Sequence, residues 1–266
     1  MRTALTIAGS DSGGGAGIQA DLKTFAAHGV YGTSAITALT AQNTVAVAAV
    51  HAVPATFVVA QIETVLADLG CDAAKTGMLA TVEIVAAVAA AVTRLAIPNL
   101  VVDPVMVAKS GDPLLAGNAV AAVRRDLLPV ARVVTPNIPE AEVLIGAPIR
   151  TVEDAVAAAH AIRAMGPRAV IVKGGHLDLP DIVDVLVEDS RVVTLTAPRV
   201  TGVHTHGTGC TFAAAIAARL ALGEELEAAA RSAQVYVAGA MRAGIPRGRG
   251  HRPLNHFWRP WPAILV

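Results

Sequence analysis

Three apolar runs in this chain end in polar residues, and that repeat constrains the fold more than any other feature. Leu100-Val101-Val102 leads to Asp103, Val133-Val134-Thr135 to Pro136-Asn137, and Ala169-Val170-Ile171-Val172 to Lys173-Gly174-Gly175. Longer Ala-rich stretches with helical spacing separate them. Apolar strands alternating with helices describe βαβ units and a largely parallel sheet. The expected fold class is therefore α/β, a three-layer α/β/α sandwich around a mostly parallel central sheet. Open parallel sheets bind ligands beyond the carboxyl ends of their strands. Core packing gives no reason for Asp103, Asn137, Lys173 and a glycine-rich loop to share that position, so together they read as one crevice.

Along the chain, Leu5 to Ala8 reads as the first strand, followed by a glycine-rich loop from Ser10 to Gly17 and a helix from about Ile18 to His28 that stops at Gly29. Ser34 to Leu39 reads as the second strand. Pro54 opens the next helix as a first-turn proline and Gly70 closes it. Ala73 to Thr76 is a strand, and Thr81 to Leu95 an amphipathic helix. Ile182 to Val187 and Val192 to Thr196 form a hairpin around Asp189-Ser190. Two helices follow, about Thr211 to Leu222 and Glu225 to Ala243, and then an irregular tail from about 246. Without a repeat, a linker or a break in composition, residues 1–266 read as one domain.

No formally charged residue stands between Lys23 and Glu63. A membrane span needs roughly 20 consecutive apolar residues, whereas Gly29, Gly32, Gln42, Asn43 and Pro54 interrupt this stretch. A buried strand flanked by helices is the expected account, with no membrane association. Lys+Arg and Asp+Glu are both 21, a formal charge of zero, which argues against a nucleic-acid partner because such affinity rests on neutralising many phosphates. The same balance leaves little repulsion between copies of the chain. Two cysteines, Cys71 and Cys210, are too few for a disulfide framework. Met1-Arg2-Thr3 runs straight into a strand rather than a leader, so the expected compartment is the cytoplasm.

The glycines at 13, 14, 15 and 17 invite a dinucleotide reading, but the G-x-G-x-x-G spacing fails at Ile18 and no acid ends the second strand. A phosphate loop ending in Gly-Lys-Ser/Thr is absent as well. Gly207-Thr208-Gly209-Cys210 is more informative. A small-residue turn entering a helix presents free N–H groups and the positive end of the dipole, which makes an anion hole. The same field is expected to favour the Cys210 thiolate. An ordinary helix entry with a buried structural thiol remains open at this point. Asn137 and Glu140 fit a helix capping box as well as they fit, with Asp103, hard-oxygen ligation of Mg²⁺. Lys173 on an apolar strand needs an anionic partner. Gln42 offers a donor and an acceptor side by side, suited to an aminopyrimidine edge.

Taken together these stretches resemble the hydroxymethylpyrimidine/phosphomethylpyrimidine kinase family of the ribokinase-like superfamily. The resemblance is carried by residues 8–21 (AGSDSGGGAGIQAD), 40–44 (TAQNT), 75–79 (KTGML), 103–111 (DPVMVAKSG), 135–140 (TPNIPE), 172–176 (VKGGH) and 205–211 (THGTGCT), in the family's order across nearly the whole chain. It implies ATP-dependent phosphorylation of a hydroxymethyl-pyrimidine and then of its monophosphate, in thiamine biosynthesis. Gly9, Asp21, Gln42, Met78 and Val105 are then expected to line the pyrimidine pocket. Lys173 and Asn137 serve ATP, Asp103 and Glu140 hold Mg²⁺, Gly207, Thr208 and Gly209 form the anion hole, and Cys210 acts on the substrate hydroxyl. The implied partners are the pyrimidine, ATP and a second copy of the chain. His204 and Arg252 depart from the family's pattern. A pyridoxal kinase of the same fold is the nearest alternative, and an NAD-binding oxidoreductase the alternative from another class.

Overall fold

Alternate side chains of a strand point to opposite faces of its sheet, and here helices cover both. In this computed structural model, which describes residues 1–106, 119–201 and 205–259, the elements are β1 (Thr3–Asp11), α1 (Gly17–Ala27), β2 (Tyr31–Gln42), β3 (Val47–Ala52), α2 (Ala55–Asp68), β4 (Ala73–Thr76), α3 (Val82–Arg94), β5 (Leu100–Val102), α4 (Ala119–Ala122), β6 (Val133–Val134), α5 (Ile138–Ile145), α6 (Val152–Arg163), β7 (Ala169–Val172), β8 (Asp181–Glu188), β9 (Arg191–Pro198), α7 (Thr208–Ala221) and α8 (Leu226–Arg242). His204 and the stretch from Val107 to Gly111 lie outside the described residues.

The strands form one sheet in the order β3-β2-β1-β4-β5-β6-β7-β8-β9. The six from β2 to β7 in that order run parallel, while β3 at one end and β8–β9 at the other are antiparallel. Leu5, Ile7, Val102, Val134 and Val170 face α2, α3, α5 and α6. Their neighbours Ala4, Val101, Val133 and Ala169 face α1, α7 and α8. That alternation is the expected sandwich, and both faces being buried explains why the central strands read as continuous apolar runs.

Three local expectations change. The charge-free stretch holds not a buried strand alone but an antiparallel pair, β2 and β3. Asn43 turns the chain by accepting from the N–H groups of Val45 (2.8 Å) and Ala46 (3.1 Å). β3 is almost wholly exposed, so it lacks the apolar signature of its neighbours. Pro54 precedes α2 as its N-cap rather than lying in its first turn. α7 starts at Thr208 with Gly207 as its N-cap in the left-handed region (φ 84°), so Thr208, Gly209 and Cys210 form its first turn instead of preceding it.

The segment from Ile245 to Arg259 lies on the α7–α8 side. The Tyr236 hydroxyl donates to the His256 carbonyl (2.7 Å) and the Trp258 indole to the Tyr236 carbonyl (3.1 Å). His256 Nε2 lies 3.0 Å from Thr211 Oγ1, and burial, with Lys23 adding to it, pushes the imidazole down to about 4 from 6.5. Between those values the unfolded chain binds more protons than the folded one, so stability is lost as pH falls through that window. Thermal melts from neutrality to about pH 4.5 are expected to show a flatter acid limb for His256→Gln than for the parent. Parallel limbs would contradict this account of His256.

Candidate active site

The carboxyl ends of β1, β4, β5, β6 and β7 open into a cavity of about 460 Å³ that continues over the start of α7 and along α8. Gly9, Gln42, Met78, Val105, Asp103, Asn137, Glu140, Lys173 and residues 207–210 all line it. Asp21 does not. It is fully buried on α1, where both its oxygens accept from Lys75 Nζ (3.0 and 2.9 Å) and Oδ2 accepts from Thr6 Oγ1 (2.6 Å). The expectation that Asp21 lines the pocket is corrected: Lys75 lines the cavity, and Asp21 is bound to Lys75 Nζ. Burial opposes the Lys75 charge, but Asp21, Cys210 and Asp103 outweigh it and raise the ammonium above its usual range.

The glycine-rich loop has a different use from phosphate binding. Asp11 Oδ1 accepts from the Gly13 amide (2.8 Å), and Oδ2 accepts from those of Gly15 (3.0 Å) and Ala16 (2.8 Å). Successive amides of this kind make a nest for an anion, and here the chain fills its own nest. That is the physical reason the loop is no dinucleotide site. The glycine-rich start of α7 also lines the cavity, and its amides have the backbone form suited to an anion. A side chain at Gly207 has no room, since a Cβ would meet the Gly15 carbonyl oxygen at 1.9 Å, and φ is positive there.

Beneath those amides Lys173 Nζ donates to Asp103 Oδ1 (3.1 Å), and a Cβ on Gly209 would lie 3.3 Å from the same nitrogen. Burial works against the Lys173 charge, but the carboxylates of Asp103 and Glu140 overcome it and push the ammonium up. Asn137 and Glu140 form a reciprocal capping box on α5: the Asn137 side chain accepts from the Glu140 amide, and Glu140 Oε2 from the Asn137 amide (both 2.9 Å). The Met106 amide also bonds to Glu140, whose carboxyl burial and neighbouring Asp103 push up to about 7. Glu140 is thus tied into the helix cap, and the capping reading outweighs direct ligation there. Gln42 is half-buried, with Thr40 Oγ1 3.1 Å from its Oε1. Met78 is held through its carbonyl by Thr37 Oγ1 (2.5 Å), and its sulfur would press on a Cβ at Gly9 (3.2 Å).

Residues 11–255 match the phosphomethylpyrimidine kinase family. The chain belongs to that family. It is 48% identical over 261 residues to the hydroxymethylpyrimidine/phosphomethylpyrimidine kinase of Haemophilus influenzae, covering 97% of each chain. It is 50% identical over 253 residues, 95% of its own length, to the thiamine biosynthesis bifunctional protein ThiED of Geobacter sulfurreducens, and spans 52% of that longer protein. Among solved structures, the ADP complex of Bacillus subtilis pyridoxal kinase superposes with a TM-score of 0.90 at 39% identity, over 96% of this chain and 97% of that one. The phosphomethylpyrimidine kinase of Clostridium difficile gives a TM-score of 0.81 at 42% identity, over 91% and 100%.

This family member has a second, apolar half to its cavity that the sequence did not reveal: Ile182, Pro198 and Val200 from the β8–β9 side face Val237, Ala238 and Met241 of α8. Helical periodicity marks α8 as amphipathic but does not say which part of its apolar face borders a void. Arg199 closes this half, donating to the carbonyls of Leu179 (3.0 Å), Gly175 (2.9 Å) and Leu177 (2.8 Å).

Cys210 is the second correction. The helix N-terminus does not leave it as a thiolate: burial dominates and, with Asp21 and Asp103, pushes the thiol up to about 11, despite the opposing pull of Lys75 and an N–H from Gly17. Thiolate is the reactive form. Iodoacetamide modification of Cys210, followed by peptide mass, is therefore expected to be slow at neutral pH and to rise about tenfold per pH unit toward about pH 10. A plateau at neutral pH would show a stabilised thiolate instead.

Proposed function

We propose that this chain transfers the γ-phosphoryl group of ATP to 4-amino-5-hydroxymethyl-2-methylpyrimidine, and then to its monophosphate, as a step of thiamine biosynthesis. One observation carries the reading: the amides that open α7 face a cavity whose one half ends in Gln42 and whose other half is an apolar slot beside Lys173. A side-chain amide, a helix entry suited to an anion and an apolar slot thereby share one space. Kinases of this fold have been solved with ADP and with AMP-PCP, in keeping with ATP as the donor. The chain works as a single kinase domain over 1–266. Its two cysteines are free, and with ATP as co-substrate the proposed compartment is the cytoplasm. Among the described residues no helix is long and apolar enough to cross a membrane.

Gln42 reads the ring edge of the acceptor, while Gly9, Met78 and Val105 enclose it. Lys173 and the α7 amides of Thr208, Gly209 and Cys210 hold the transferring phosphoryl group as charge develops on its oxygens. The residues present suit Mg²⁺ in a limited way. Among the described residues no cluster of three His, Cys, Asp or Glu could hold a metal, but Mg²⁺ is bound by one or two carboxylates together with substrate phosphates and water. Asp103, Asn137 and Glu140 all line the cavity, and with Asn137 and Glu140 tied into the α5 cap, Asp103 is the proposed ligand. When bound there, the ion supplies charge neutralisation to the phosphate oxygens.

In the transfer the acceptor oxygen forms a bond to the γ-phosphorus, the bond from that phosphorus to the β–γ bridging oxygen breaks, and ADP leaves. Cys210, held as a thiol, accepts the hydrogen bond of the acceptor hydroxyl and orients its oxygen. The hydroxyl proton passes late to an oxygen of the transferred phosphoryl group, as a loose phosphoryl-transfer transition state allows. Pyridoxal is a second acceptor to examine, since the chain superposes on pyridoxal kinases at TM-scores near 0.9.

A second copy of the chain is the proposed partner. Leu39, Val45 and Val50 on the β2–β3 edge and Phe57 on α2 are exposed apolar side chains, the kind of patch that marks an interface. Sedimentation is expected to give a dimer that Val50→Lys weakens; a monomer at micromolar concentration would remove that part of the reading.

A coupled ADP-release assay tests the activity with hydroxymethylpyrimidine, its monophosphate, pyridoxal or no acceptor. Release with both pyrimidines is expected, and release with neither overturns the proposal. In the same assay Gln42→Leu raises the acceptor KM by an amount equivalent to about 1–3 kcal/mol and leaves the KM for ATP nearly unchanged. Cys210→Ala lowers kcat by about 10²-fold through loss of the acceptor oxygen's orientation, and Cys210→Asp retains more activity than Cys210→Ala.

A further inference from the structure

Asp11 receives one more hydrogen bond than the glycine-rich loop supplies. His206 Nε2 lies 2.8 Å from its Oδ2, although the two residues are 195 positions apart. Both side chains are buried, and both line the cavity. Burial opposes the Asp11 charge, but His206 and the loop amides outweigh it and hold the carboxyl below its ordinary value. The contact is steric as well as polar. A Cβ on Gly15 would meet His206 Cδ2 at 2.2 Å, and one on Gly207 would meet the Gly15 carbonyl oxygen. The backbone of the glycine-rich loop therefore rests directly on the turn that opens α7, and one buried pair latches the two.

That latch joins two parts of the site that no strand or helix connects. On one side, β1 ends in Gly9 to Asp11, and the loop is tied to the acceptor wall by Ser12 Oγ, which donates to the Gln42 carbonyl (3.0 Å) and accepts from the Gln42 amide (2.8 Å). On the other side, His206 directly precedes Gly207 and the α7 amides. The C-terminal segment steadies both: the His206 amide donates to the Arg252 carbonyl (3.3 Å), and the His251 amide to the Thr44 carbonyl (2.9 Å). The apolar half of the cavity, between β9 and α8, has no part in this arrangement.

We infer that His206 and Asp11 are a positioning pair for phosphoryl transfer, setting the distance between the acceptor wall and the amides that receive the transferring group. The inference rests on the kinase reading above. A misplacement of about 1 Å between reacting groups costs on the order of 10²-fold in rate, without requiring loss of either substrate's affinity.

The test compares His206→Leu, His206→Gln and the parent. His206→Gln keeps a side-chain N–H of similar reach for Asp11. For His206→Leu, kcat with hydroxymethylpyrimidine is expected to fall by about ten- to a hundredfold, with ADP affinity by calorimetry within about twofold of the parent. His206→Gln is expected to recover a substantial part of kcat. Independently of turnover, hydrogen exchange of peptides covering 12–17 and 205–211 is expected to accelerate together in His206→Leu and to return toward the parent in His206→Gln. Unchanged kcat per folded molecule, a parallel loss of ADP affinity, no recovery in His206→Gln, or acceleration of only one of the two peptides would each overturn the inference. If the parent itself releases no ADP with any acceptor, the kinase reading fails, and the joint exchange response then decides whether the latch stands.

Discussion

Lys75 on β4 is fully buried, and its ammonium is tolerable there because both oxygens of Asp21 lie within hydrogen-bonding distance. A buried charge without a partner is costly, and breaking a buried pair by removing one member typically costs about 3–5 kcal/mol. This pair fixes α1 against the sheet at the level where β1 and β4 end. α1 follows the glycine-rich loop, so the loop inherits that position. Cys210 lies close enough to feel both charges, which places the first turn of α7 over the same spot. The part of the cavity beside Gly9 and Met78 rests on this ion pair, although Asp21 itself does not line it.

Lys173 repeats the solution on β7, with Asp103 on β5 as its anion. Its environment differs in one respect that matters for chemistry. Lys173 borders the cavity and is partly exposed there, so its pairing with Asp103 is accessible from the cavity. Lys75 also lines the cavity, but its ammonium is fully covered and held by both oxygens of Asp21. Two lysines of similar appearance in sequence thus differ in how completely the fold covers each ammonium.

Much of the site was legible because its chemistry is local. The glycine turn entering α7, the capping box of Asn137 and Glu140, and the polar residues closing three apolar strands all follow from short-range rules of backbone amides and strand termini. The misreadings share a different character. Whether Asp21 faces the cavity or Lys75 depends on the rotation of α1 against a parallel pair 54 residues further on. The thiol of Cys210 was expected to be acidic from its helix position alone; burial by distant segments reverses that field. β3 escaped notice because an exposed edge strand lacks the apolar run that identified its neighbours.

By itself, the sequence determined the layered α/β architecture, the edge of the sheet that carries the site, and the family. Apolar periodicity and turn residues act within a few positions, and each such signal is readable in one dimension. Only the tertiary structure decided how the glycine-rich loop is used, which half of the cavity α8 supplies, and which ionisable groups are free to act. Those outcomes depend on burial and on pairs such as Asp11 and His206, which meet because the whole fold closes on itself. Desolvation is a property of everything packed around a group, and no short window of sequence contains it.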